Sequence, residues 1–561
     1  MPFTWKQFER FWYFLSLVGI MGSLSYSKVG ISVGGMMLAG GWIVERFDAR
    51  RWVRLLAPRK VWQKCLLALP FSLFLLLEGI AKGFKQFVRN KPALLFSSIF
   101  LIHILGLIVT TDFDYALKDL RTKLPLLFLP LILSTSEAIG KKGFYNFMLF
   151  FVLTVLVRSL FNTWLIETNQ FLDIRDVSRN ISHVVFSLLL ALGIYTLSGF
   201  ILKKETFPIW QRGFFFLVIC WFIYYIFRSQ SFTGFSITLI TLLVLIPVMI
   251  FKNRGRWLKT GLLLSILIVT SIIIVSLKSV ISDYYRVNPV DWSKLEKSTS
   301  RGNPYIHNPF AKQTENGNYL WIYVQWDELR SAWNNRSRIP FDSLNLKREP
   351  VAYTVVRFLT SKGWRKDADA VDKLSLQEVS AIEKGVANYI FLEGFSVRGR
   401  MYEFLWGFDN YRETGNPTGS TVMQRLEFWK ASLGILRDHW LTGVGTGDMN
   451  IAFRVQYEKM QSKLAPDQRW RSHNQFLSIF IGFGIFGLIW FLIALFYPPV
   501  ILRRQDDYFV VVFLVIAILS MLTEDTLESQ TGVTFFAFFY SFFLFARKTK
   551  DSIIYKDNPD D

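Results

Sequence analysis

The chain has 561 residues, 52% of them hydrophobic and 17% aromatic, with a positive mean hydropathy, which excludes an ordinary water-soluble globule and points to a protein lying mostly in lipid. Its formal charge of +21 is gathered in short basic clusters between apolar runs, so it reports loops held on the cytoplasmic side and gives no sign of nucleic-acid binding. Only Cys65 and Cys220 occur, both inside apolar stretches, which excludes a disulfide framework and a thiolate metal site.

The first apolar stretch, 11–21, follows Lys6 and Arg10 and runs into a second, so a hairpin over about 12–46 is expected to stay as an uncleaved anchor. The run 66–77 has basic clusters on both sides, 46–64 and 82–91, so the segment near 66–80 reads as re-entrant or interfacial, with Pro70 inside it. Spans are then expected at about 93–111, 122–136, 144–166, 183–203, 209–227, 231–251 and 259–278, with every basic turn falling on one side. A long polar segment, 283–472, follows. Three apolar runs close the chain at about 474–497, 508–523 and 532–546, separated by Arg503-Arg504 on one side and an acidic turn containing Glu524, Asp525 and Glu528 on the other. The pattern predicts an all-α polytopic membrane protein of about twelve transmembrane helices, with both termini inside and the polar segment outside between the ninth and tenth. Three domains result: 1–282 in the membrane, 283–472 outside and 473–561 in the membrane again.

The polar segment carries helix signals of its own. Ser375-Leu-Gln-Glu378 reads as a capping box ahead of Val379, Ile382 and Val386, and Ser420-Thr421 precedes Leu426, Trp429, Leu433 and Leu436 at helical spacing. A small, mainly helical domain is expected there. Its Trp321, Trp326, Trp333, Trp406 and Trp429 offer either a sugar-stacking surface or ordinary core and interface anchors, and the second reading is the default.

His473 stands where this polar segment runs into the first of the closing apolar helices, with Arg471 and Ser472 before it and Asn474 and Gln475 after it. A titratable imidazole is thereby placed at the mouth of a helix. Nine residues separate His473-Asn474 from Gly484-Ile-Phe-Gly487, and upstream lie Gln424-Arg425-Leu-Glu-Phe-Trp429 and Gly443-Val-Gly445-Thr-Gly447-Asp448. This ordered set resembles the O-antigen ligase superfamily, with its His-Asn-x9-Gly-x-x-Gly signature preceded by an Arg-x-x-x-Trp and a Gly-x-Gly-x-Gly stretch. The superfamily also holds O-antigen polymerases and protein O-oligosaccharyltransferases. A Ser-Arg-Gly carried by many members stands here as Ser231-Phe232-Thr233-Gly234, with the nearest arginine at Arg228.

The resemblance implies inverting transfer of a glycan from an undecaprenyl-diphosphate donor to an acceptor hydroxyl at the periplasmic face of a bacterial inner membrane, without metal or cofactor. The polar segment would then be periplasmic. His473 is the catalytic base it implies, because a positioned imidazole removes an acceptor proton near neutral pH. Arg425 is the first diphosphate ligand, since a guanidinium grips phosphate oxygens and keeps its charge. Arg400, Arg398, Arg179 and Arg228 are further candidates for the same anion, with Asn474, Gly484 and Gly487 in support. The Gly443–Gly447 run lacks the preceding strand and the Lys of a P-loop and reads as a tight turn steering the chain back to the membrane, while Gly484 and Gly487 read as permitting close helix packing. The acceptor is lipid A-core in a ligase, a growing polysaccharide in a polymerase, or a protein. In another class, a lipid-linked glycan flippase would share the spans and the cationic cavity.

Overall fold

The computed structural model describes residues 5–57, 61–168, 174–178, 181–203, 205–252, 256–392 and 396–547, and they are mostly helical. Two compact units form: residues 1–249 together with 424–561, and residues 250–423.

Seven helices among the described residues are long and apolar enough to cross a membrane: Leu67–Arg89, Lys91–Val109, Lys141–Thr168, His183–Ile201, Ile209–Arg228, Leu263–Tyr285 and Gln475–Ile501. Three shorter apolar helices, Phe232–Pro247, Tyr508–Thr523 and Gln530–Ala546, accompany them. The chain is a multi-pass membrane protein. Trp5–Ser23 and Lys28–Glu45 form the expected N-terminal hairpin, and the Ser27 hydroxyl caps the second helix by accepting from Gly30 N.

Two expectations change. The segment near 66–80, expected to be re-entrant or interfacial, lies within one helix, Val61–Arg89, which carries Pro70 within it. The helix continues past Glu78, so Leu67–Arg89 is long and apolar enough to cross; the flanking basic clusters argued for orientation and said nothing of length. The run 122–136 yields Pro125–Thr135, a helix of 11 residues, after a separate helix Phe113–Lys123. Pro125 cannot continue the earlier helix, and 11 residues cover ~16 Å of a hydrocarbon core of ~30 Å.

The first unit is held by a continuous apolar core that includes Phe96, Leu129, Met148, Leu188, Phe222, Phe513, Phe536 and Tyr540. Phe96 stacks on Tyr540 with centroids 3.9 Å apart, which brings the helix Lys91–Leu105 against Gln530–Ser541.

The second unit begins with the helix Arg256–Tyr285. A two-strand hairpin, Thr314–Glu315 with Asn318–Tyr319, turns through Asn316 and Gly317, both at positive φ, as a tight Asn-Gly turn demands. Short helices surround a core of Leu329, Trp333, Phe341, Val355, Phe358, Leu359 and Ile382. The capping box at Ser375 and Glu378 forms as expected. Trp333 is buried in the core and Trp321 and Trp326 pack against it, so three of the tryptophans serve packing.

Arg357 crosses this unit to Glu315 at 2.9 Å, with the two side chains 8% and 7% exposed, and lies 4.3 Å over the Trp406 ring. Asn388 completes the shell by donating to Glu315 at 2.7 Å. Removing one buried partner strands the other charge, at a cost of about 3–5 kcal/mol, whereas removing both costs far less. Arg357→Met is therefore expected to lower the melting temperature sharply and Arg357→Met with Glu315→Gln to restore much of it, as thermal unfolding of the purified chain will show.

Candidate functional site

The site grows from a helix that breaks. Gln475–Ile501 is interrupted at Gly484, which takes φ 66° and ψ −170°. A break inside an apolar helix strips neighbouring carbonyls of their helical donors, and in a membrane they must find others within the protein. They find them in the turn after Thr421–His439: Val444 N donates to Ile481 O and Gly445 N to Gly482 O, both at 2.9 Å, while Ile485 N donates to Trp440 O at 2.9 Å. The approach is so close that a Cβ on Gly484 would run into the Leu441 carbonyl, and one on Gly443 into the Gly482 backbone. The expected tight turn therefore exists, and what it meets is the opened backbone of the helix.

The same turn is tied to the helix Lys91–Val109 and its end. Thr446 Oγ1 donates to His103 O at 2.6 Å and Gly447 N to Thr110 Oγ1 at 3.1 Å. Asp448 accepts from Thr111 N at 2.9 Å and Asp112 N at 2.8 Å.

His473 sits just before the broken helix, at φ 44°, a left-handed backbone that few side chains other than Asn, Asp and His adopt readily. Asp525 enforces it. This carboxylate accepts from His473 N and Asn474 N at 3.1 Å each, from Ser472 Oγ at 3.1 Å and from Ser478 Oγ at 2.7 Å. Asn474 in turn caps the helix, its Oδ1 accepting from Phe476 N and Leu477 N.

The imidazole is oriented by Glu524. His473 Nδ1 lies 2.9 Å from Glu524 Oε2, a contact that in a neutral imidazole puts the proton on Nδ1 and the lone pair on Nε2. Arg425 Nη2 donates to the other oxygen, Oε1, at 2.8 Å. His473 and Arg425 are each 31% exposed, and Glu524 between them 23%. Residues four apart share a helix face, and Thr421–His439 uses that spacing. Arg425 reaches Glu524, while Trp429 Nε1 donates to Ser472 O at 3.1 Å and Phe428 stacks on the His473 ring at 5.5 Å.

Beside this lies a buried ionic cluster. Arg471 donates to Glu528 at 3.2 Å and to the Tyr115 hydroxyl at 2.8 Å; Lys123 reaches Glu528 at 3.1 Å and also Asp119. Burial opposes the Glu528 charge, yet Lys123 and Arg471 overcome it and hold the carboxyl well below its usual range. Burial dominates at Asp119 and, despite Lys123, pushes it up to about 6. Burial and the neighbouring Glu528 likewise push Asp525 up.

Of the residues singled out from the sequence, the structure brings together His473, Asn474, Arg425, Gly484 and Gly487 in the first unit. Arg228 is taken by Glu167 at 2.8 Å. Arg398 lies over the Tyr402 ring and Arg400 pairs with Glu403, both within the second unit. Arg179 lies outside the described residues. The sequence shows Glu524, Asp525 and Glu528 together only as an acidic turn and gives Arg471 and Lys123 no role. The signal for them was charge at both mouths of apolar helices, where an isolated ion is costly.

A set of apolar helices with a charged cluster at one helix mouth defines a multi-pass membrane protein. Residues 379–492 match the protein-family model described as O-antigen ligase. No curated protein matches the chain.

Two outcomes are expected. Gly484→Ala is predicted to cost several kcal/mol, because the added methyl meets backbone and φ is positive, while Gly213→Ala, with nothing within 4 Å, leaves the melting temperature unchanged or slightly raised. The folded-state pKa of Asp119 lies above its unfolded value, so its contribution to stability is full at low pH and is lost as pH rises through about 6. Glu528 acts oppositely, stabilising above the ordinary carboxyl range and failing as pH falls. Asp119→Asn should thus flatten the decline of melting temperature between pH 4 and 7 (roughly the span of that titration).

Proposed function

We propose that this protein is an inverting glycosyltransferase that moves a glycan from an undecaprenyl-diphosphate donor to an acceptor hydroxyl at the periplasmic face, with lipid A-core as the acceptor that the ligase family favours. The observation that carries this reading is the His473–Glu524–Arg425 chain, in which one carboxylate holds an imidazole and a guanidinium side by side.

The chemistry follows from their geometry. His473 Nε2 removes the acceptor proton as the acceptor oxygen forms its bond to the anomeric carbon. The bond from that carbon to the diphosphate oxygen breaks in line on the opposite face, its electron pair leaving with undecaprenyl diphosphate, and the anomeric configuration inverts. Glu524 faces the imidazolium so formed and stabilises it. Arg425 has five N–H donors and spends one on Glu524, so others remain for the departing diphosphate. Asp525 fixes the loop and takes no proton. Arg471 and Lys123, neutralised by Glu528 and Asp119, support the loop and do not face the donor.

The test is transfer in liposomes that carry undecaprenyl-diphosphate-linked oligosaccharide, with each acceptor class supplied separately. His473→Asn is the informative variant, since Asn accepts the left-handed backbone while lacking a base. It is expected to lose at least ~100-fold in rate. Glu524→Gln should lose tens of fold with the fold intact, and Arg425→Lys should be impaired although charge is kept. Undiminished transfer by His473→Asn would sink the proposal and return the argument to lipid-linked glycan transport.

A further inference from the structure

A second concentration of charge lies at the far end of the same helices. Gln475–Ile501 starts two residues after His473, and its 27 residues span ~40 Å. Beyond that end, at the start of Tyr508–Thr523, a cavity of about 280 Å³ is lined by Lys141, Lys203, Arg547, Asp507 and aromatic rings that include Phe144 and Tyr145. This is near the lower end of the ~300–1,000 Å³ typical of ligand sites.

The charges around it do not balance. Three cations face one carboxylate, an excess of two. Arg547 pairs with Asp507 and lies 5.1 Å over the Phe144 ring, so that carboxylate is spent. Lys203 donates to the Tyr145 hydroxyl at 3.0 Å and sits 5.3 Å from the centre of its ring, and Lys141 is 6.0 Å from the same ring. Among the described residues neither ammonium has a carboxylate partner. Two ammonium groups crowded against one tyrosine repel each other, and an anion between them would turn that repulsion into two charge-assisted hydrogen bonds. Basic pockets between helix ends at the membrane surface are suited to phosphate headgroups.

We propose that this cavity binds a phosphate-bearing anion through Lys141 and Lys203, with the tyrosine hydroxyl between them. A lipid headgroup and free phosphate share that chemistry. The proposal stands apart from the transfer reading and uses none of its residues.

The experiment uses the full-length protein in phosphatidylcholine nanodiscs, titrated with phosphatidylglycerol and, separately, with inorganic phosphate, with bound species counted by native mass spectrometry. Wild type is expected to retain one phosphatidylglycerol more tightly than the rest, and Lys141→Gln with Lys203→Gln to weaken it at least tenfold. If the double variant loses phosphate binding while phosphatidylglycerol is unchanged, free phosphate is the ligand. Lys203→Arg should retain binding, and Lys203→Gln alone should show a partial loss if the double variant does not fold. Lys142→Gln, one residue outside the cavity lining, serves as control. Equal binding of both anions by wild type and lysine variants, or an equal loss in the control, would overturn the proposal.

Discussion

A polypeptide inside hydrocarbon has no water to satisfy a backbone that leaves the helix, and the first unit is arranged around one such departure. Gly484 opens the helix that follows His473, and the freed carbonyls of Ile481 and Gly482 are met by Val444 and Gly445. That docking fixes where Thr421–His439 ends relative to the broken helix. It thereby fixes where Arg425 and Trp429, on one face of the former, meet the loop before the latter. The break is also sealed on its other side, because Thr446 and Asp448 fasten the turn to the end of Lys91–Val109. Position at the helix mouth is therefore set by backbone hydrogen bonds, which rotate less freely than any side chain.

Charge at the mouth is sorted into two groups. Glu524 serves His473 and Arg425, both partly exposed, whereas Glu528 serves Lys123 and Arg471, which are more deeply placed. Asp525 stands between the two acids and spends its oxygens on four hydrogen bonds to the His473 loop and the start of its helix. Burial pushes Asp525 up, and the donors around it keep it a fixed acceptor. The three acidic residues of one short turn thus have three different tasks, decided by what each faces.

Much of this was legible in the sequence. Apolar runs gave most helices to within a few residues, since hydrocarbon selects on length and composition alone; Ile209–Arg228 and Tyr508–Thr523 are examples. The spaced His473, Gly484 and Gly487 and the Arg425–Trp429 pair marked the cluster because helical periodicity is local. The failures have physical causes too. Pro125 ended one helix and began another inside a run that looked continuous, and Val61–Arg89 kept its helix through Pro70. Glu524 and Asp525 stand in the sequence only as an acidic turn because their partners lie 47 or more residues away along the chain, beyond any local pattern. The glycines of the turn were legible as a tight bend, but their partner, an opened helix, is a tertiary fact.

The first unit is assembled from two stretches of chain separated by the whole of the second. Synthesis proceeds from the N-terminus, so the early membrane helices, among them Lys91–Val109, are made long before the turn that Thr446 anchors to His103 exists. Glu524, Asp525 and Glu528 come later still, after the whole of the second unit and after His473 itself. Until they emerge, His473 has neither the carboxylate that orients its ring nor the one that bends its backbone, and Lys123 and Arg471 lack their shared anion. The cluster at the helix mouth is thus completed only after the second unit has been made, and a chain interrupted before residue 524 carries its histidine without the means to hold it.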